Sequence, residues 1–230
     1  WLELPPQSGE PPLRCWWARP AAAAPRGAVL VLPEVFGVNG WVRSVADRLA
    51  QDGYGALALP IFARTAPELE LAYDEAVTAA TLLADARRGI AWMQQQPGLE
   101  LRPVGCIGFC FGGHLALIVA TLPQVAVTLD FYGARVSSFR PGGGPPTLEL
   151  IPQIPGDLVC LVGDQDPLMP AAEIEAMAAA LQAQPSGPRR ELQVLRGAGH
   201  GFMCEQRNDF AANAAAQGWA SLRQALAVAL

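Results

Sequence analysis

Four side chains in this 230-residue chain have the types and positions to do chemistry together. Cys110 stands in Gly108-Phe109-Cys110-Phe111-Gly112, between two apolar runs. Glycines on either side of one reactive residue let a strand turn sharply into a helix and present the middle side chain at the bend. A thiolate is stabilised at a helix N-terminus, and so is an oxyanion developing beside it. Asp166, in Gly163-Asp164-Gln165-Asp166-Pro167, and His200, in Gly197-Ala198-Gly199-His200-Gly201, each follow a later apolar run. An imidazole can take a proton from the thiol and return it, while a carboxylate fixes the ring's tautomer. Glu34 follows the first long apolar run, in Pro33-Glu34-Val35-Phe36-Gly37. Each residue has a plainer reading alone: a small buried thiol, a turn aspartate beside proline, a loop histidine, a solvated glutamate. Their order along the chain argues against coincidence.

Two rivals compete for these roles. His114 lies four residues after Cys110, one helical turn along, where contact with the bend is feasible. It has no obvious carboxylate partner and is read as a packing residue. Asp164 is the rival to Asp166.

The elements that must hold these residues alternate. Apolar strands are expected at 13–19 (a leading edge strand), in the run from 27, and at 55–62, 103–109, 125–133, 157–163 and 191–197. Helices are expected at 42–54, 74–95, 111–122, 170–184 and 210–230. Residues 1–12 are Pro-rich and read as an extended segment, and residues 136–156, with their prolines and Gly142-Gly143-Gly144, read as a loop. Strands apolar throughout, separated by helices, make a mostly parallel sheet covered on both faces. One α/β domain over 1–230 is the economical organisation. In such a sheet ligands collect at the carboxyl ends of the strands, where all four residues fall. Nucleophile, acid, then histidine is the chain order of the α/β-hydrolase fold. The backbone N–H groups of Phe111 and Val35 are then the expected oxyanion donors.

Composition narrows the function classes. Hydrophobic residues make up 51% and charged residues 16%, which suits a well-buried globular chain. The net charge is −5 and no Lys/Arg run occurs, so neither nucleic acid nor an anionic membrane is an expected partner. No apolar run is long enough to span a bilayer. The five cysteines, at 15, 106, 110, 160 and 204, fit no zinc spacing. Free thiols favour a reducing compartment, so a cytoplasmic location is expected. No metal or cofactor is called for, and a monomer or small homo-oligomer is expected.

The segments PEVFGVN, FARTAP, GFCFGG, GDQDPLMP and AGHGFMCEQR, in that order, resemble the dienelactone hydrolase family from about residue 13 to the end. The resemblance implies Cys110, Asp166 and His200 as catalytic residues, with Glu34 as the helper carboxylate. It implies Arg64 as the arginine that binds the carboxylate of a small lactone or ester substrate. It further implies a switch in which that carboxylate occupies the arginine and frees Glu34 to take the thiol proton. Phe36 is expected to wall the substrate. The family's best-known enzymes carry a second arginine four residues after the histidine. That position is Cys204 here, and Arg207, three residues on, either reaches the pocket or does not. Pro60-Ile61-Phe62 and Asn39-Gly40-Trp41 also depart from the usual pattern. These changes bear on the substrate and leave the hydrolytic set whole. The competing readings are a general carboxylesterase or thioesterase, a non-catalytic ligand-binding protein on the same fold, and a redox sensor pairing Cys110 with Cys106.

Overall fold

The computed structural model describes residues 1–6, 10–64, 75–184 and 186–230. An eight-stranded sheet runs in the order β1-β2-β4-β3-β5-β6-β7-β8. Its strands are β1 (Leu2–Leu4), β2 (Leu13–Ala18), β3 (Ala28–Leu32), β4 (Gly55–Ala58), β5 (Val104–Phe109), β6 (Val125–Phe131), β7 (Asp157–Gly163) and β8 (Arg190–Leu195). The β1–β2 and β2–β4 pairings are antiparallel, and every other pairing is parallel. The helices are α1 (Gly40–Gln51), α2 (Ala79–Met93), α3 (Phe111–Val119), α4 (Ala171–Gln182) and α5 (Ala212–Ala229).

Alternate residues of the central strands feed opposite faces. Val29 and Val31 of β3 join a core with Val42, Val45 and Leu49 of α1 and Leu222 and Leu226 of α5. Leu30 and Leu32 join a second core with Ile90 of α2 and Leu115 of α3. The strands are apolar on both faces because both faces are covered. Below β7, Leu158, Cys160 and Val162 pack against Met177 and Leu181 of α4.

Three expectations need correction. Residues 13–19 do not form the edge of the sheet: Leu2–Leu4, inside the segment read as merely extended, pair outside them, with Leu4 against Leu13. Three residues ahead of Pro5-Pro6 are too short a run to show an alternation. The stretch 136–156 is not all loop, because Thr147–Gln153 forms a 3-10 helix despite Pro152 inside it. The helix expected over 74–95 spans Ala79–Met93; Asp74 lies outside the described residues, as do Thr65, Ala66 and Pro67 of FARTAP. A reciprocal capping box sets the start of α2, with Thr78 Oγ1 accepting from Thr81 N–H at 3.1 Å and Thr81 Oγ1 accepting from Thr78 N–H at 3.2 Å.

Candidate active site

The bend at Cys110 follows from two glycines with no room for a side chain. A Cβ on Gly108 would lie 1.9 Å from the Gly112 carbonyl oxygen, and one on Gly112 would lie 2.4 Å from the carbonyl oxygens of Leu32 and Pro33. The first close approach folds β5 directly into α3. The second presses α3 against the end of β3, which sets the Glu34 loop beside the bend. Cys110 itself sits at φ 54°, ψ −121°, a conformation few side-chain-bearing residues adopt. Its N–H donates to Phe131 O at 3.0 Å, and its carbonyl accepts from Gly113 at 2.9 Å and His114 at 3.1 Å. Of the five free cysteines four are buried; Cys110 is half-buried. Burial pushes the thiols of Cys106 and Cys160 up and that of Cys15 to about 12, which keeps those three protonated at neutral pH.

His200, in the turn after β8, and Asp166, in the loop after β7, meet at 2.7 Å between Nδ1 and Oδ2. Asp166 is fixed in turn by accepting Leu168 N–H at 2.8 Å. Asp164, the rival, instead accepts Gly197 N–H at 2.7 Å and steadies the turn that carries the histidine. Burial works against a charged imidazole at His200. The Asp166 hydrogen bond, then interaction with the Cys110 thiol, outweigh burial and lift His200 to about 9. Nε2 is buried and has no hydrogen-bond partner of ordinary geometry among the described residues. The edge of the Tyr132 ring packs on the imidazole with centroids 5.2 Å apart.

His114 is no rival. It is buried, with Nδ1 2.8 Å from Ala134 O and Nε2 2.8 Å from Thr147 Oγ1. A carbonyl can only accept, so Nδ1 carries the proton and Nε2 accepts from the hydroxyl. Burial lowers its pKa to about 4 and holds it neutral. It latches α3 to the 134–147 segment.

Glu34 is 1% exposed, and its carboxylate meets Arg207 at 3.1 Å. Desolvation pushes its pKa up, opposed by Arg207. Arg207 therefore reaches the site from seven residues past His200. It also touches Asp209 at 3.4 Å and lies 5.9 Å from the Phe36 ring centre. A cavity of about 240 Å³ opens between these groups, lined by Cys110, His200, Arg207, Val35, Phe36 and Phe111. Leu168, Ala134 and Arg135 complete its wall.

The structure thus brings together Cys110, Asp166, His200, Glu34, Arg207, Val35, Phe36 and Phe111. Arg64 stands apart. Its Nε and Nη2 donate to the two oxygens of Asp85 at 3.0 and 2.6 Å, and Nη2 lies 3.0 Å from Glu10. Asp85 is 5% exposed. Drawing Arg64 onto a substrate would break this two-point pairing and leave buried Asp85 with only the longer 3.5 Å contact to Arg88. Two neighbours carried no sequence signal. Asp130, fully buried behind the bend, accepts Gly133 N–H at 2.8 Å. The hydroxyl of Tyr132 is buried without a hydrogen-bond partner among the described residues.

A sharp strand–helix bend carrying Cys110 above a mostly parallel sheet, with His200 and Asp166 on later strand-end loops, defines the α/β-hydrolase fold. The pattern of the dienelactone hydrolase family matches residues 13–230, and the chain belongs to that family of carboxylic ester hydrolases. It is 35% identical over 218 residues to a Synechocystis protein named "Putative carboxymethylenebutenolidase", covering 90% of this chain and 88% of that one. A Bradyrhizobium protein named "Probable 2-oxo-3-(5-oxofuran-2-ylidene)propanoate lactonase" is 29% identical over 209 residues, covering 88% of this chain and 84% of that one. Among solved structures, one described as "Putative Dienelactone Hydrolase" from Klebsiella pneumoniae superposes with a TM-score of 0.87 at 26% identity, covering 98% of this chain and 96% of that one.

Proposed function

We propose that this chain is a cysteine-dependent hydrolase of a small lactone or ester that carries a carboxylate, working through Cys110, His200 and Asp166. The observation that carries the reading is the 2.7 Å His200–Asp166 contact, which aims Nε2 toward a pocket that Cys110 also lines. The sulfur attacks the substrate carbonyl as the thiol proton leaves. The Phe111 and Val35 N–H groups receive the oxyanion at the positive end of α3. The C–O bond then breaks, and the alkoxide leaves with the proton of the His200 imidazolium, giving a thioester and a neutral ring. His200, oriented by Asp166, takes a proton from water as the water attacks that thioester. The thiol is regenerated and the acid released.

Glu34 is the base for the resting thiol in this reading. While Arg207 holds it, the carboxylate is compensated. A substrate carboxylate competing for Arg207 uncovers a buried Glu34 whose raised pKa favours taking a proton. The arginine of the switch is then Arg207, in place of Arg64. The names of the Synechocystis and Bradyrhizobium relatives support a lactone. Five free thiols support a reducing, cytoplasmic setting. Among the described residues no helix is long and apolar enough to cross a membrane.

The test is p-nitrophenyl acetate turnover by wild type, Cys110→Ala and iodoacetamide-treated protein. Turnover falling at least about a thousandfold in both inactivated forms is expected. A folded wild type that binds carboxylates yet turns over no ester or lactone would favour the ligand-binding alternative.

A further inference from the structure

We propose that Tyr132 is a further positioning residue of this site: its hydroxyl receives the Glu34 carboxylate when a substrate carboxylate draws Arg207 away, and holds it in the pose that takes the Cys110 proton. This rests on the hydrolase reading above and adds the group that makes its switch workable. Tyr132 is fully buried, and its hydroxyl has no hydrogen-bond partner among the described residues. A buried donor left unpaired costs stability, so it marks either a defect or a partner that arrives in another state. Here such a partner is close by. Burial pushes the phenol's pKa well above its ordinary value, and the charge on Glu34 is the next largest influence, ahead of Cys110 and Cys204, with Arg207 opposing. The hydroxyl therefore keeps its proton as a donor and lies among the groups of the switch.

Backbone and ring together fix where this phenol sits. Tyr132 has a φ of 49°, a left-handed conformation that a bulky residue adopts only when its surroundings impose it. Its N–H donates to Leu161 O at 2.8 Å, and the next N–H, of Gly133, donates to Asp130 Oδ1 at 2.8 Å. The preceding carbonyl, of Phe131, accepts the N–H of Cys110 at 3.0 Å. The ring packs on His200, Phe202 and Phe109 with centroids 5.2, 5.0 and 6.3 Å away. One strained turn thus ties the phenol to the backbone of the nucleophile and to the imidazole. Glu34 is itself buried and held by Arg207 at 3.1 Å. Losing Arg207 with nothing in exchange would leave a bare carboxylate in a desolvated site. Exchanging the guanidinium for a phenol hydroxyl keeps a hydrogen bond but removes the positive charge. The carboxylate then stays in place and binds a proton more readily than in the ion pair.

The experiment alkylates Cys110 with iodoacetate and with iodoacetamide, reagents of nearly equal size that differ by a carboxylate. In each, sulfur bonds to the methylene carbon and iodide leaves. The thiol proton passes to a base in the site, which for iodoacetate is the uncovered Glu34. Peptide mapping by mass spectrometry confines the rate to Cys110. The ratio of the iodoacetate to the iodoacetamide rate constant is measured for wild type, Tyr132→Phe, Glu34→Gln and the double variant. Tyr132→Phe is expected to lower the ratio about fivefold or more, as for loss of one hydrogen bond to a charged group. In the Glu34→Gln background the same change should move it less than about twofold, because the acceptor charge is gone. A loosened fold slows both reagents together and leaves the ratio where it was. A ratio unchanged in Tyr132→Phe overturns the proposal. So does a fall of equal size with and without Glu34, which would assign the hydroxyl to the thiol instead. Because alkylation needs no turnover, these outcomes stand apart from the ester test of the hydrolase reading.

Discussion

At the scale of single residues, the site separates groups by what surrounds them. Asp166 is held by Leu168 N–H and His200, so its carboxylate is committed to orienting the ring. Asp166→Asn keeps the size and the Leu168 contact but offers the imidazole an uncharged partner. Its kcat should fall about 10²–10⁴-fold with little change in KM, read from steady-state ester kinetics. An unchanged kcat would remove Asp166 from the relay. Tyr132 is the opposite case. Its ring packs on His200 and Phe202 while its hydroxyl has no partner among the described residues. Tyr132→Phe keeps the packing and loses no hydrogen bond, so stability by urea denaturation should stay within about 0.5 kcal/mol of wild type or rise. A loss well beyond that would show that the hydroxyl is satisfied.

At the scale of elements, the contact between the end of β3 and the start of α3 makes the site. Gly108→Ala would place a methyl 1.9 Å from a backbone oxygen that cannot swing aside. The variant should lose more than about 3 kcal/mol of stability or fail to fold, as measured by urea midpoint and soluble yield. His114→Ala removes both ends of the latch between α3 and the segment that carries Arg135 and Phe139. It should cost roughly 2–3 kcal/mol, read from the urea midpoint. The sequence already showed the glycine-flanked bend, the strand-end positions of Glu34, Asp166 and His200, and the alternation that builds a parallel sheet. These depend on short-range patterns. It did not show that Arg207 meets Glu34, a contact across 173 positions that only the folded sheet creates. The expectation for Arg64 came from motif position alone, which carries no information about the competing carboxylate on α2.

For the molecule as a whole, the two histidines give stability opposite pH dependences. His200 is raised to about 9 in the fold, against about 6.5 when unfolded. Its contribution is fully present below about 6.5 and is lost as pH rises through about 9. The stability difference between wild type and His200→Gln should therefore shrink across that window. His114 is lowered to about 4, so the unfolded chain binds the extra proton first and its contribution is lost as pH falls from about 6.5 toward 4. Asp130, raised to about 7 by burial, acts against His114 in that acid window, because keeping it neutral favours the fold at low pH. Comparison with His114→Gln at each pH isolates the histidine. Urea titrations from pH 4 to 9.5 read both, and slopes of the opposite sign would contradict the assigned environments. The most direct measurement of the central claim is intact-protein mass spectrometry of wild type quenched during turnover of a slowly hydrolysed ester, followed by peptide mapping. An acyl mass on the peptide containing Cys110, absent from Cys110→Ala, is the predicted result. Continued turnover with no acyl group on Cys110, undiminished in Cys110→Ala, would contradict it.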